Sequence, residues 1–126
     1  MNILFLDDCP QRTKKFKSLL PMAVTCETAQ QCIDLLPTKD WDYVFLDHDL
    51  GGATYQDSEE FNTGMQVVRY IVDNPQNVQH FVVHSLNHGA AMNMVDLLRQ
   101  CEYTVSRCIF LDIENFIRIK IYGYLD

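Results

Sequence analysis

Residues 43–49 read Tyr43-Val44-Phe45-Leu46-Asp47-His48-Asp49. Four apolar or aromatic residues in a row, without polar alternation, suit a strand buried on both faces, as parallel sheets use. The abrupt change to two acids around a histidine marks where that strand leaves the core. The pattern recurs at Asn2-Ile3-Leu4-Phe5-Leu6-Asp7-Asp8 and at Phe81-Val82-Val83-His84-Ser85. Two further short runs, Ala23-Val24-Thr25-Cys26 and Val105 to Phe110, bring the predicted strands to five.

The stretches between them carry helical spacing. Pro10 suits a first helical turn, Phe16, Leu19 and Leu20 follow at helical intervals, and Pro21 stops the helix. Glu27 to Leu36 places Ala29, Cys32, Ile33 and Leu36 on one face before Pro37. Further helices are predicted over 64–73, 89–100 and 114–122, the last crowded with Phe116, Ile117, Ile119 and Ile121. Trp41 is expected just ahead of strand three, at the domain edge. Residues 50–63 read as a loop of glycine and polar residues, a length usually reserved for function. Strands alternating with helices five times predict a flavodoxin-like, receiver-like three-layer α/β/α sandwich around a five-stranded parallel sheet. No linker, repeat or low-complexity tract interrupts it, so residues 1–126 form a single predicted domain.

Composition narrows the function classes. Hydrophobic residues are 48% and charged residues 21%, which excludes disorder and fibrous repeats. No apolar run approaches the roughly 20 residues that span a bilayer, and no signal peptide is visible, so no membrane partner is expected. Ten Lys and Arg against seventeen Asp and Glu give a net charge of −7, which argues against duplex DNA held by a basic surface. Cys9, Cys26, Cys32, Cys101 and Cys108 are odd in number and form no CxxC pair; they are expected as reduced thiols in a cytoplasmic protein.

In open sheets of this kind ligands sit beyond the carboxyl ends of the strands. Asp7-Asp8, Asp47-His48-Asp49 and His84-Ser85 are thus expected to converge. Clustered carboxylates repel one another unless a cation joins them, and hard oxygen donors suit Mg²⁺. Asp7, Asp8 and Asp47 are the candidate ligands of a divalent metal, Mg²⁺ or Mn²⁺; as helix-capping acids they would need none. His48 and His84, with Asp49, are the candidate catalytic residues, since imidazole is matched to proton transfer near neutral pH. As a pair they could also hold a softer metal, or simply bridge strand and loop. Ser85 and Asn87 are placed to hold a phosphate oxygen near a helix start, or to cap that helix. Gly51 offers close backbone approach to a ligand, and Arg12 and Arg107 offer positive charge. His80 is expected to open a strand at the opposite end and His88 to lie in a loop.

The Asp7-Asp8, Asp47 and Ser85 positions, with the five-fold alternation, resemble the response-regulator receiver domain over nearly the whole chain. In that family the first acid pair binds Mg²⁺, the third-strand Asp accepts a phosphoryl group, and a lysine follows strand five. Here that lysine position falls near Cys108-Ile109. The strings Leu46-Asp47-His48-Asp49-Leu50-Gly51 and His84-Ser85-Leu86-Asn87, followed by Gly89-Ala90-Ala91, are similar to cyclic-phosphate-processing receiver domains. The resemblance implies a phosphoesterase that opens a cyclic phosphate, on a 2′,3′-cyclic RNA end or a cyclic nucleotide, with one histidine activating water and the other protonating the leaving oxygen. The alternatives are a stand-alone phosphoacceptor receiver that signals through a protein partner, and a cyclic-nucleotide binder without catalysis.

Overall fold

The computed structural model describes residues 1–51, 57–58 and 60–123. Part of the expected 50–63 loop, Gly52 included, lies outside the described residues. Five strands, β1 (Ile3–Leu6), β2 (Val24–Cys26), β3 (Trp41–Leu46), β4 (Val78–Val83) and β5 (Val105–Arg107), form one all-parallel sheet in the order β2-β1-β3-β4-β5. Helices α1 (Pro10–Leu19), α2 (Ala29–Leu35), α3 (Gly64–Asp73), α4 (His88–Gln100) and α5 (Ile113–Phe116) connect and close it. The expected flavodoxin-like, receiver-like α/β fold is thus found.

The period of two along a strand sends alternate side chains to opposite faces. Ile3, Phe5, Phe45 and Val82 meet Phe16 of α1 and Ile113 of α5 on one face. Leu4, Leu6, Val44, Leu46 and Val83 meet residues of α2, α3 and α4 on the other. Phe5 pairs with Phe45, and Phe45 with Val82, so these three lie in one row. The ladder continues one residue beyond the strands: Asp7 N–H donates to Cys26 O at 3.1 Å, Asp47 N–H to Leu6 O at 3.2 Å, and His84 N–H to Leu46 O at 3.0 Å. Two residues beyond the phenylalanine row, Asp7, Asp47 and His84 therefore share the α1–α5 face. His48, one residue beyond Asp47, turns the other way, toward Asn87 at the start of α4.

Four element boundaries differ from the sequence expectation. Trp41 belongs to β3, is 1% exposed, and donates its Nε1–H to Leu36 O at 2.9 Å. The expected edge position is wrong because α2 ends in a 3₁₀ turn, Leu36–Thr38, whose carbonyl receives the indole. Strand five ends at Arg107 rather than Phe110. It is an edge strand with one partner; Cys108 N–H still donates to Val83 O at 3.0 Å, and the chain then turns into a 3₁₀ segment, Phe110–Asp112. The last helix is α-helical only to Phe116 and continues as a wider π-type turn over Ile117–Ile121. Three isoleucines at alternate positions crowd a normal α turn, since β-branched side chains are stiff at χ1. His80 lies within β4, beside Tyr43 of β3, rather than opening it. No helix of the described residues is long and apolar enough to cross a membrane.

Candidate functional site

The side chains beyond the strand ends divide between the two faces that alternation assigns them. On the α1–α5 face, Arg12 stands one turn into α1 and reaches back over Asp7. Its Nε–H donates to Asp7 Oδ2 at 2.8 Å and its Nη2–H to Asp7 Oδ1 at 2.9 Å, a two-pronged charge-assisted pair. Nη2 also lies 3.5 Å from Asp47 Oδ2. The pairing with Asp7 raises the guanidinium's already high pKa, so Arg12 is a permanent cation. Asp47 is buried; desolvation, then the Asp7 charge, push its carboxyl from 3.8 up to about 7, although its Oδ1 accepts the His48 N–H at 2.8 Å. Burial is the larger cause, and the Asp7 charge adds to it.

His84 completes this face. Its ring stacks on Phe5 at 5.0 Å, and Nε2 lies 3.2 Å from Leu6 O. A carbonyl only accepts, so Nε2 carries the proton and Nδ1 keeps its lone pair. Nδ1 stands 3.7 Å from Asp7 Oδ2. Burial lowers the imidazole pKa to about 4, despite the Asp7 charge that opposes the shift.

His48 lies on the other face, fully buried. Nδ1 is 2.7 Å from Asp49 Oδ1 and Nε2 is 3.0 Å from Ser58 Oγ. The carboxylate makes Nδ1 the donor, and Nε2 then accepts from the Ser58 hydroxyl. Asn87 Nδ2 donates to Asp49 Oδ1 at 3.1 Å, while Asn87 Oδ1 accepts from Ala90 N–H at 3.4 Å and caps α4. Of the two roles expected for Asn87, the structure shows the helix cap; its side-chain amide is directed at Asp49 and it does not line the cleft described below. Behind this cluster, Asp49 bridges Thr63, and Gly64 N–H donates to His48 O at 2.9 Å, so the start of α3 braces the end of β3.

A cleft of about 660 Å³ opens over these groups. Asp8, Arg12, Asp47, Asp49, His84 and Ser85 line its polar side. The expectation that the two imidazoles meet across one ligand is corrected here. His84 lines the cleft, whereas His48 is fully buried outside its lining and meets lining residues through its ring on Asp49 and its N–H on Asp47. Ser85, 2% exposed, accepts the Asn87 N–H at 3.1 Å. Arg107 does not line the cleft. It lies at the end of β5, and its Nε is buried with no hydrogen-bond partner among the described residues. Gly51 does not line it either; at φ 71° it turns the chain after β3, a conformation that favours glycine. Sequence reasoning missed the apolar side, formed by Leu86, Ile109, Phe110, Leu111 and the start of α1. The signal was available: residues 109–111 follow strand five, and strand ends line such clefts.

The donor set was tested against a divalent cation. Oxygens of Asp7, Asp8 and Asp47 lie within 4.8 Å of one another. Three carboxylates of excess negative charge fit a hard cation. Arg12 covers both Asp7 oxygens and approaches Asp47, so an ion entering the triad has to displace it. Arg12→Ala is accordingly expected to tighten Mn²⁺ binding at least tenfold by calorimetry, and to unfold more readily than wild type in chelator. Unchanged Mn²⁺ affinity would remove Arg12 from this role.

A profile of the Cyclic-phosphate processing Receiver domain matches residues 2–100. No curated protein matches by sequence. Among solved structures, a response regulator receiver domain (CheY-like) from Methylobacillus flagellatus superposes with TM-score 0.64 at 18% identity, covering 94% of this chain and 96% of that one. A response regulator from Colwellia psychrerythraea gives TM-score 0.67 at 13% identity, covering 93% of each chain. At these identities the two likenesses speak to the fold alone. The family match spans four of the five strands and every acid and histidine of the cleft, and with it the chain belongs to the cyclic-phosphate processing receiver domains.

Proposed function

We propose that this domain hydrolyses a cyclic phosphate, opening the ring at the cleft above Asp7, Asp47 and His84. The observation that carries the reading is that one cleft places the His84 imidazole, whose Nδ1 keeps its lone pair, beside acids that outnumber the cation among them. Asp8, Asp47 and Asp49 line the cleft, and Arg12 is the one cation lining it among the described residues. An anionic phosphate is repelled by that balance and needs a further cation. Asp7, Asp8 and Asp47 are the residues to hold it. A divalent ion bound there supplies charge neutralisation and polarises the phosphoryl oxygens.

His84 handles the proton. Its Nδ1 accepts one from the attacking water as the water oxygen bonds to phosphorus. The imidazolium, which burial disfavours, passes that proton to the ribose oxygen as the ring P–O bond breaks. Products are a phosphate monoester and a free hydroxyl. Asp49 is a cleft group whose carboxylate is fixed by His48 and Asn87, so His48 acts as a positioning residue. Arg12 and Ser85 orient the phosphate, while Arg107 and Gly51 shape the surrounding backbone and charge from outside the cleft. Position 108, where an ordinary receiver has lysine, holds a thiol whose pKa burial pushes up; it brings no charge.

The test is incubation with nucleoside 2′,3′-cyclic phosphates, 3′,5′-cyclic nucleotides and cyclic-ended RNA, with Mg²⁺, Mn²⁺ or chelator, and chromatography of the products. Ring opening that needs the metal is expected. His84→Gln, which keeps a donor for Leu6 O, is expected to lower turnover about 100-fold or more, with ligand affinity retained. Alanine at this position is less informative, because it removes a ring packed on Phe5. A second reading, a phosphoacceptor receiver, is favoured by the intact acid triad. It predicts a phosphoryl adduct on Asp47 by intact mass after a small phosphodonor, and no ring opening.

A further inference from the structure

The cleft is larger and less polar than a cyclic phosphate requires. Its volume of about 660 Å³ falls in the roughly 300–1,000 Å³ range of pockets that enclose drug-sized ligands. Besides its charged and polar groups, the cleft is lined by Leu86, Ile109, Phe110 and Leu111, contributed by the turns that follow β4 and β5. Leu86 is 67% exposed and Leu111 is 87% exposed. A single exposed leucine is ordinary, but two that flank half-buried Ile109 and Phe110 form a continuous apolar wall beside an ion-binding floor.

We propose that this wall is a nucleobase subsite: the flat face of a base packs on Leu86 and Leu111 while the attached cyclic phosphate reaches Arg12, Ser85 and His84. The inference rests on the cyclic-phosphate reading and deepens it to nucleoside cyclic phosphates. Two features favour a base over another occupant. The wall is continuous with the phosphate floor, so one ligand of this size spans both. The wall also presents no charged or amide side chain, which suits a flat aromatic face rather than a second phosphate or a sugar. For the same reason the wall reads area, not hydrogen-bonding pattern. Purines are expected to bind better than pyrimidines, with adenine and guanine nearly equal.

The experiment uses the whole domain with Mn²⁺. Nucleoside 2′,3′-cyclic phosphates are compared with glycerol 1,2-cyclic phosphate, which keeps the ring and lacks the base. Leu86→Ser and Leu111→Ser are made together, both at exposed positions where folding is unaffected. The expected result is a KM for the nucleoside substrates raised about tenfold, with kcat retained and the glycerol substrate unaffected. Equal KM for the two ligand types in wild type, or an equal rise for both in the variant, overturns the subsite and leaves the cyclic-phosphate reading standing. Free adenosine is added separately while the Leu86 and Leu111 methyl resonances are followed. Methyl shifts without ring opening of any substrate support the subsite and reject the hydrolytic reading. No methyl shift and no ring opening reject both. A change from dimer to monomer in the double variant by sedimentation assigns the wall to a second copy of the chain and overturns the proposal.

Discussion

Gly64→Ala is expected to be among the most disruptive single-methyl changes in the molecule. A Cβ at this position would stand 1.9 Å from the carbonyl oxygen of Asp47 and 2.9 Å from its carbonyl carbon. Met94 Cε, at 2.8 Å, is the tip of a flexible side chain and can move. The Asp47 backbone cannot, because it follows directly on the central strand with its N–H on Leu6 and its neighbour hydrogen-bonded to α3. The overlap has to be relieved by displacing the start of α3 from the end of β3. Overpacking of this kind destabilises by about 3 kcal/mol at its upper end, which in a domain of this size lowers Tm by about 10 °C. The same displacement shifts Asp47, His48 and Asp49 together, so metal affinity and turnover should fall with stability. A variant with wild-type Tm and wild-type Mn²⁺ affinity would show that α3 does not brace the site.

Asp47→Asn is expected to do the reverse for stability and to abolish function under both catalytic readings. The Asp47 carboxyl is raised from 3.8 to about 7, equivalent to about 4 kcal/mol once the group is ionised. An acid with a raised pKa holds its proton more tightly folded than unfolded, so its contribution to stability falls as pH rises from about 4 to about 7 and stays low above that. Asparagine keeps the acceptor for His48 N–H and carries no charge. In chelator, urea unfolding at pH 8 should find the variant at least ~2 kcal/mol more stable than wild type, with the gain shrinking toward pH 4. A gain independent of pH would contradict the assigned burial of this charge. His84 runs the other way: its lowered pKa makes stability rise between about 4 and 6.5. The two slopes oppose each other in wild type, and the variant leaves the rising slope of His84, to which His80, also lowered by burial, adds. If Asp7, Asp8 and Asp47 hold a divalent ion as proposed, saturating Mg²⁺ should stabilise wild type and leave the variant, which lacks one of the three carboxylates, unmoved.

Much of this was legible in the sequence because the signals were periodic or abrupt. The unbroken runs at Ile3–Leu6 and Tyr43–Leu46 required a doubly covered sheet, and the acids that ended them located the cleft. The faces were harder. His48 and His84 look equivalent when each is read against its own strand. Only the register between β3 and β4 shows that His84 stands beside Asp47 while His48 stands beside Ser85, and register depends on how two distant segments pair. Trp41 and the end of strand five were misplaced for a related reason: a 3₁₀ carbonyl that receives an indole, and an edge strand with one neighbour, are tertiary circumstances. Arg12 was marked as a source of positive charge, but its grip on Asp7 depends on where α1 sits over the sheet.

The pairing of Asp49 with Thr63 has a consequence for how this fold can be varied. It fastens the chain together at the neck of the long segment that leaves β3 and returns to α3. With the neck fixed, the span between becomes a cassette: doubling its length adds only about 0.6 kcal/mol of closure entropy. Inserts of new sequence grafted there, clear of Ser58 and its contact with His48, should leave Asp47 and Asp49 in register.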